Sequence, residues 1–164
     1  MILIGLGANL NSPAGPPQET LASALGAMAA RRIRVLKVSR FYRTPAWPNP
    51  ADPPFTNAVV RVQTPLGPVG LLEALHAIED EFGRIREAAN APRTLDLDLL
   101  DYDGRVEGGP PELPHPRIAE RAFVLVPIND IAPDWRHPKS GKTIGDLLKA
   151  IPEAERAAVR IAEP

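Results

Sequence analysis

The chain has 164 residues, 44% of them hydrophobic, which predicts a single domain spanning residues 1–164 that buries its own core. With 19 Lys and Arg against 20 Asp and Glu it is close to neutral, which argues against a protein built to wrap nucleic acid. It has no cysteine, which excludes disulfides and thiolate metal sites and leaves a metal only oxygen ligands and three histidines. No apolar run approaches a membrane span, and Met1–Leu6 lacks the basic flank and cleavage site of a signal peptide. The expectation is a cytoplasmic monomer acting on small molecules, away from membranes and nucleic acid.

In chain order, Ile2, Ile4 and Leu6 alternate with Leu3, Gly5 and Gly7, a strand with one small-residue face. Glycine on a strand marks close approach of a ligand or another backbone. Leu21, Leu25 and Met28 predict a helix over 18–30. Residues 33–43 read as a strand whose alternation slips at Val35-Leu36, predicting a bulge. Phe55 to Gln63 is a cleaner strand, with Thr56, Ala58, Val60 and Val62 on one face and Phe55, Asn57, Val59 and Arg61 on the other. A helix follows over 68–82, closed by Gly83. A strand over 95–100 then runs toward the turn Asp103-Gly104. Pro127 belongs in a helix's first turn, so a helix is expected to start within 123–126 and end at Ile131. Leu147 and Leu148 fall in a last short helix. Many of the 20 prolines fall in 13–17, 45–54 and 110–116, which read as constrained loops. The order β-α-β-β-α-β predicts an α+β, ferredoxin-like core with helices on one face of an antiparallel sheet, plus C-terminal helical additions.

The segment Pro92-Arg93-Thr94-Leu95-Asp96-Leu97-Asp98-Leu99-Leu100 is the most informative. On a strand, Leu95, Leu97 and Leu99 enter the core while Asp96 and Asp98 share the other face, with Cα atoms about 6.6–7 Å apart. Carboxylates this close repel unless a cation lies between them, and Mg²⁺ or a pair of Mg²⁺ ions suits two such oxygen ligands. Alternation alone favours a solvated surface strand, and it is the neighbouring residues that shift the reading. Phe55, Asn57, Gly5 and Gly7 are expected to share the open face with the aspartates, making a ligand floor. Glu79 falls inside the apolar stripe of Leu71, Leu72, Leu75, Ile78 and Phe82, so it needs hydrogen bonds, a cation or a proton. A structural tie to a neighbouring loop would also account for it. Arg84, Arg86 and Arg93 flank the aspartates, as phosphoryl transfer requires, although any one of them also reads as a solvated loop residue. The loop carrying them is expected to be mobile when empty and to order on a bound polyphosphate. His115 and Arg121 form a second polar cluster. Ser140-Gly141-Lys142-Thr143 resembles the end of a P-loop, but Arg136 stands where that motif needs glycine.

Taken together, Gly7-Ala8-Asn9-Leu10, Phe41-Tyr42-Arg43-Thr44-Pro45, Phe55-Thr56-Asn57-Ala58, Ile78-Glu79 with Gly83-Arg84 and Arg86, Arg93 to Asp98, and Pro114-His115 with Arg121-Ala122-Phe123 resemble the 6-hydroxymethyl-7,8-dihydropterin pyrophosphokinase family of folate biosynthesis. The resemblance covers nearly the whole chain. It implies transfer of the pyrophosphoryl group of ATP to the pterin's hydroxymethyl oxygen, with release of AMP. It further implies that Asp96 and Asp98 bind two Mg²⁺, and that Arg84, Arg93 and Arg121 contact phosphates with His115 nearby. Phe55 and Phe123 would sandwich the pterin, while Thr44, Pro45 and Asn57 read its polar edge. Arg84 and Arg93 would join the aspartates in catalysis, and Glu79 and Arg86 would support the site. The chain departs from some relatives in carrying Ala89-Asn90-Ala91 where a tryptophan occurs, and Pro116 where tyrosine is common. Two rivals remain on residues alone: a non-catalytic ferredoxin-like ligand-binding module, and another two-metal phosphotransferase or nuclease on the same scaffold.

Overall fold

The computed structural model describes residues 1–85 and 91–163. In chain order come β1 (Ile2–Ala8), α1 (Pro17–Ala29), β2 (Arg34–Val38), β3 (Tyr42–Thr44), β4 (Phe55–Gln63), α2 (Pro68–Glu81) and β5 (Asp96–Tyr102). A small hairpin of β6 (Glu107–Gly108) and β7 (Glu112–Leu113) leads to α3 (Ala122–Ile131), α4 (Ile144–Ala150), α5 (Glu153–Ala157) and β8 (Arg160–Ile161). The main sheet runs β5-β1-β4-β3-β8 with β2 also on β4, and every pairing is antiparallel. Both α1 and α2 open on proline, whose missing N–H costs nothing in a first turn. Gly83, at φ +76°, ends α2 by donating its N–H to the Asp80 carbonyl (3.1 Å).

The expected strand over 33–43 is two strands. The bulge falls between Val35 and Lys37 as anticipated. The ladder then breaks because Ser39 Oγ accepts the Val59 N–H (2.9 Å) that a regular partner carbonyl would take. Pairing resumes at Tyr42 opposite Asn57. A second difference concerns α3, which begins at Ala122, so Pro127 lies inside the helix and not in its first turn. Proline cannot donate to the Phe123 carbonyl, and the loss is offset by burial of Val124, Leu125, Ile128 and Ile131. The helix around Leu147 and Leu148 is not the last: α5 follows, and β8 returns to pair with β3. Ser140 to Thr143 is a turn, and Thr143 Oγ1 caps α4 by accepting the Asp146 N–H (3.1 Å).

The two core helices share one face of the sheet as expected, but the C-terminal helices cover much of the other face, which was expected to be open. Ile2, Ile4, Leu6, Ala58, Val60, Leu95, Leu97 and Leu99 pack against α1 and α2. On the other face Leu3, Val59 and Leu100 lie under α3 and α4. A register shift in the β1–β5 pairing, between Leu3 opposite Asp101 and Ile4 opposite Leu99, makes Leu100 the extra residue of a bulge. Leu100 and Asp101 therefore share the second face, where Asp101 Oδ2 accepts from Trp135 Nε1 (2.9 Å). Asp130 fixes α3 to the sheet edge, accepting from the Tyr42 hydroxyl (2.6 Å) and from Arg40 Nη2 (2.7 Å). The end of this face carrying Gly5, Gly7, Phe55, Asn57, Asp96 and Asp98 borders a cavity.

Candidate active site

Sheet register builds the floor. Asp96 lies opposite Gly7, which lies opposite Asn57, which lies opposite Tyr42. Asp98 lies opposite Gly5. A protein neighbour accounts for Gly7, while at Gly5 a methyl would make only ordinary contact. A Cβ on Gly7 would stand 2.8 Å from Asn57 Oδ1, and one on Gly5 would touch the Leu100 side chain at 3.5 Å. Asn57 is buried and donates from Nδ2 to Thr44 Oγ1 (2.8 Å), which turns its carbonyl oxygen toward Gly7.

The cations beside the carboxylates in this structure are arginines. Arg84 Nη1 donates to Asp96 Oδ1 (2.8 Å), to Glu79 Oε2 (2.9 Å) and to the Leu95 carbonyl (2.9 Å). Arg93 Nη1 donates to Asp96 Oδ2 (3.2 Å), and its guanidinium lies 6.0 Å from the Phe55 ring centroid. Arg121 Nη1 is 3.8 Å from Asp98 Oδ2, with its guanidinium 5.5 Å from the Phe123 ring centroid. Glu79, only 3% exposed, also accepts the Leu97 N–H (3.0 Å), so it ties α2 to the aspartate strand and to Arg84 at once. Arg86, and with it the middle of the loop expected to order on a bound polyphosphate (86–90, including Asn90), lies outside the described residues.

Enclosure by protein and the negative charge of Asp96 push the Asp98 carboxyl up to about 7, against the pull of Arg121. A third of that side chain (33%) still faces the cavity, so the enclosure is partial. Burial, reinforced by the charge of Arg121, pushes the His115 imidazole down to about 4, leaving it neutral at pH 7. Burial also lowers Arg121, with Arg117 adding to the effect. The two aspartates border two cavities. One, of about 370 Å³, is lined by Glu79, Arg84, His115 and both aspartates. The other, of about 510 Å³, is lined by Thr44, Pro45, Phe55, Asn57, Arg93, Arg121, Phe123 and the same aspartates. Every described residue given a substrate, phosphate or metal role by the resemblance lines one cavity or both. Arg117, two residues after His115, and Trp47 of the proline-rich 45–54 loop also line the larger one, as does Glu155 of α5, which carried no local signal.

A hard divalent cation fits this donor set. Asp96 and Asp98 give adjacent carboxylates at the edge of both cavities, and Mg²⁺ typically takes one or two carboxylates while keeping other positions for phosphate and water. No group of three or more His, Cys, Asp or Glu side chains placed to hold a metal occurs among the described residues. No helix among the described residues is long and apolar enough to cross a membrane.

A carboxylate pair ringed by guanidinium groups, between an aromatic cavity and a polar one, is the apparatus of a transferase that handles polyphosphate. Residues 3–133 match the profile of the 7,8-dihydro-6-hydroxymethylpterin-pyrophosphokinase family. The chain is 44% identical over 147 residues to the 2-amino-4-hydroxy-6-hydroxymethyldihydropteridine pyrophosphokinase of Methylorubrum extorquens, covering 88% of this chain and 89% of that one. To the Synechocystis sp. enzyme of the same name it is 42% identical over 151 residues, covering 91% and 75%. The wild-type Plasmodium falciparum HPPK-DHPS crystal structure superposes on 90% of this chain with a TM-score of 0.66 at 14% identity. This chain spans 43% of that longer one, and the likeness is one of fold. The chain belongs to the 7,8-dihydro-6-hydroxymethylpterin-pyrophosphokinase family.

Proposed function

We propose that this chain, as a pyrophosphokinase of folate biosynthesis, moves the pyrophosphoryl group of ATP onto the hydroxymethyl oxygen of 6-hydroxymethyl-7,8-dihydropterin at the wall carrying Asp96 and Asp98. The supporting observation is that this one carboxylate pair borders both cavities, so donor and acceptor bound on either side meet there. The acceptor oxygen bonds to the β-phosphorus as the bond from that phosphorus to the oxygen bridging the α-phosphate breaks. AMP leaves with the electron pair, and the hydroxyl proton departs to solvent. Divalent cations held by Asp96 and Asp98, two Mg²⁺ in our reading, would neutralise polyphosphate charge when bound.

The remaining work falls to this chain's side chains. Phe55 and Phe123 stack the pterin, and Asn57, oriented by Thr44, offers its amide to the ring edge beside Pro45. Arg84, Arg93 and Arg121 bind phosphate oxygens, with neutral His115 as a hydrogen-bonding neighbour. Polyphosphate competes with Asp96 for Arg84 and Arg93, so its arrival frees both Asp96 oxygens. Glu79 keeps Arg84 at the site during that exchange. We read the scaffold as a single ferredoxin-like domain with C-terminal helices, acting as a cytoplasmic monomer. The strand order β5-β1-β4, with β2 and β3 both pairing the far side of β4, supports the scaffold reading. The test is conversion of ATP to AMP with and without hydroxymethyldihydropterin. Strict dependence on the acceptor supports the assignment, and AMP formation without it, or none with it, overturns it.

A further inference from the structure

Asn9 stands outside every role described so far, yet it is buried at the junction of the two sides of the site. Its Oδ1 accepts the Arg93 N–H (2.8 Å), and its Nδ2 donates to the Pro53 carbonyl (3.0 Å). The backbone repeats the first link, since the N–H groups of Asn9 and Leu10 both donate to the Arg93 carbonyl (3.1 and 3.2 Å). The amide orientation is forced: an N–H can meet only the oxygen, and a carbonyl can meet only the NH₂. Pro53 lies two residues before Phe55, and Arg93 three residues before Asp96. The Arg93 guanidinium in turn reaches both the Phe55 ring and Asp96 Oδ2, so Asn9 closes a ring of contacts from the aromatic cavity to the carboxylates.

We infer that Asn9 is a positioning residue that couples the acceptor cavity to Arg93, so that each substrate tightens the binding of the other. A ligand stacked on Phe55 holds the end of the 45–54 loop, and Pro53 passes that restraint through the Asn9 amide to the backbone of Arg93. By linkage, nucleotide phosphates that hold Arg93 must strengthen acceptor binding by the same factor. The inference rests on the proposed assignment of the aromatic cavity to the acceptor and of the arginines to phosphate.

Two substitutions separate the links. Asn9→Asp keeps an acceptor for the Arg93 N–H but sets a carboxylate oxygen against the Pro53 carbonyl, breaking only that arm. Asn9→Ala removes both. Affinity for α,β-methylene-ATP with Mg²⁺ is measured by calorimetry with and without hydroxymethyldihydropterin, on variants whose cooperative thermal unfolding shows that they are folded. The wild type is expected to show mutual tightening of at least about fivefold, the lower end of ordinary coupling. In Asn9→Asp it is expected to fall to within about twofold of none, while each ligand alone binds within about threefold of the wild type. Uniform weakening of both ligands with the coupling factor intact would make Asn9 merely structural and overturn the inference, as would unchanged coupling in Asn9→Asp. If Asn9→Ala does not fold, Asn9→Asp alone decides. Failure of the wild type to bind either ligand would instead overturn the functional assignment.

Discussion

The charge on Asp98 should cost the metal-free protein stability, and this can be measured against Asp98→Asn. The substitution keeps the shape of the side chain and removes its titration. In the folded chain the Asp98 carboxyl is raised from 3.8 to about 7 by enclosure and by Asp96. Between those two values the folded state holds a proton that the unfolded state has lost, so wild-type stability falls as pH rises from about 4 to 7. At about 1.4 kcal/mol per pH unit the ceiling is roughly 4 kcal/mol, and solvent screening of a side chain that is one-third exposed brings it to about 1–2 kcal/mol. Urea denaturation with a chelator present should therefore find Asp98→Asn more stable than the wild type by about that amount at pH 8, with the advantage shrinking toward pH 4.5. Saturating Mg²⁺ with ATP analogue should reverse the order, because ligand that binds only the folded wild type adds stability. Turnover of the variant should collapse. A stability difference that does not change with pH, or an Asn variant weaker at pH 8, would refute the electrostatic reasoning. Near-normal turnover at saturating Mg²⁺ would refute the metal assignment.

Phe123→Ala should weaken acceptor binding by the stacking contribution of about 0.5–1.5 kcal/mol plus lost burial, leaving ATP-analogue binding nearly unchanged. Calorimetry with each ligand checks this, and equal losses would point to a misplaced site. Arg93→Ala should slow the chemical step by about 10³–10⁵ while weakening ATP binding far less, measured by single-turnover quench-flow beside equilibrium titration. Matching losses would reduce Arg93 to a binding residue. Gly7→Ala places a methyl 2.8 Å from Asn57 Oδ1, so the amide must move. The acceptor KM should rise, with a stability loss of about 1–3 kcal/mol by urea titration, and an unchanged KM would remove Asn57 from the pterin edge.

The residues of the candidate site were legible one by one. The alternation of Leu95, Leu97 and Leu99 with Asp96 and Asp98 put the carboxylates on the face away from α1 and α2, because side-chain direction on a strand follows parity. Gly83 ended α2, and the slip near Val35 marked the bulge, since both are local backbone requirements. Glu79 stood out as a charge within an apolar stripe, and its partners proved to be Arg84 and the Leu97 N–H.

What the sequence determined by itself was thus whatever a window of ten or fifteen residues can encode: periodicity, caps, turn residues and the grouping of charges along the chain. Tertiary structure alone decided which cation stands against which carboxylate. Arg84 and Arg93 meet Asp96 while Glu79 accepts from Arg84 and Asn9 accepts the Arg93 N–H, all contacts between separate segments. It also decided that α3 and α4 pack on the second face, and here the paired apolar residues Val59-Val60 and Leu99-Leu100 were a signal that both faces are buried. It split 33–43 at Ser39, whose hydroxyl competes with the ladder only once Val59 lies beside it. Each of these depends on contacts between residues far apart in sequence, whose energies arise from packing after the chain has closed on itself, so a local pattern can hint at burial but cannot name the partner.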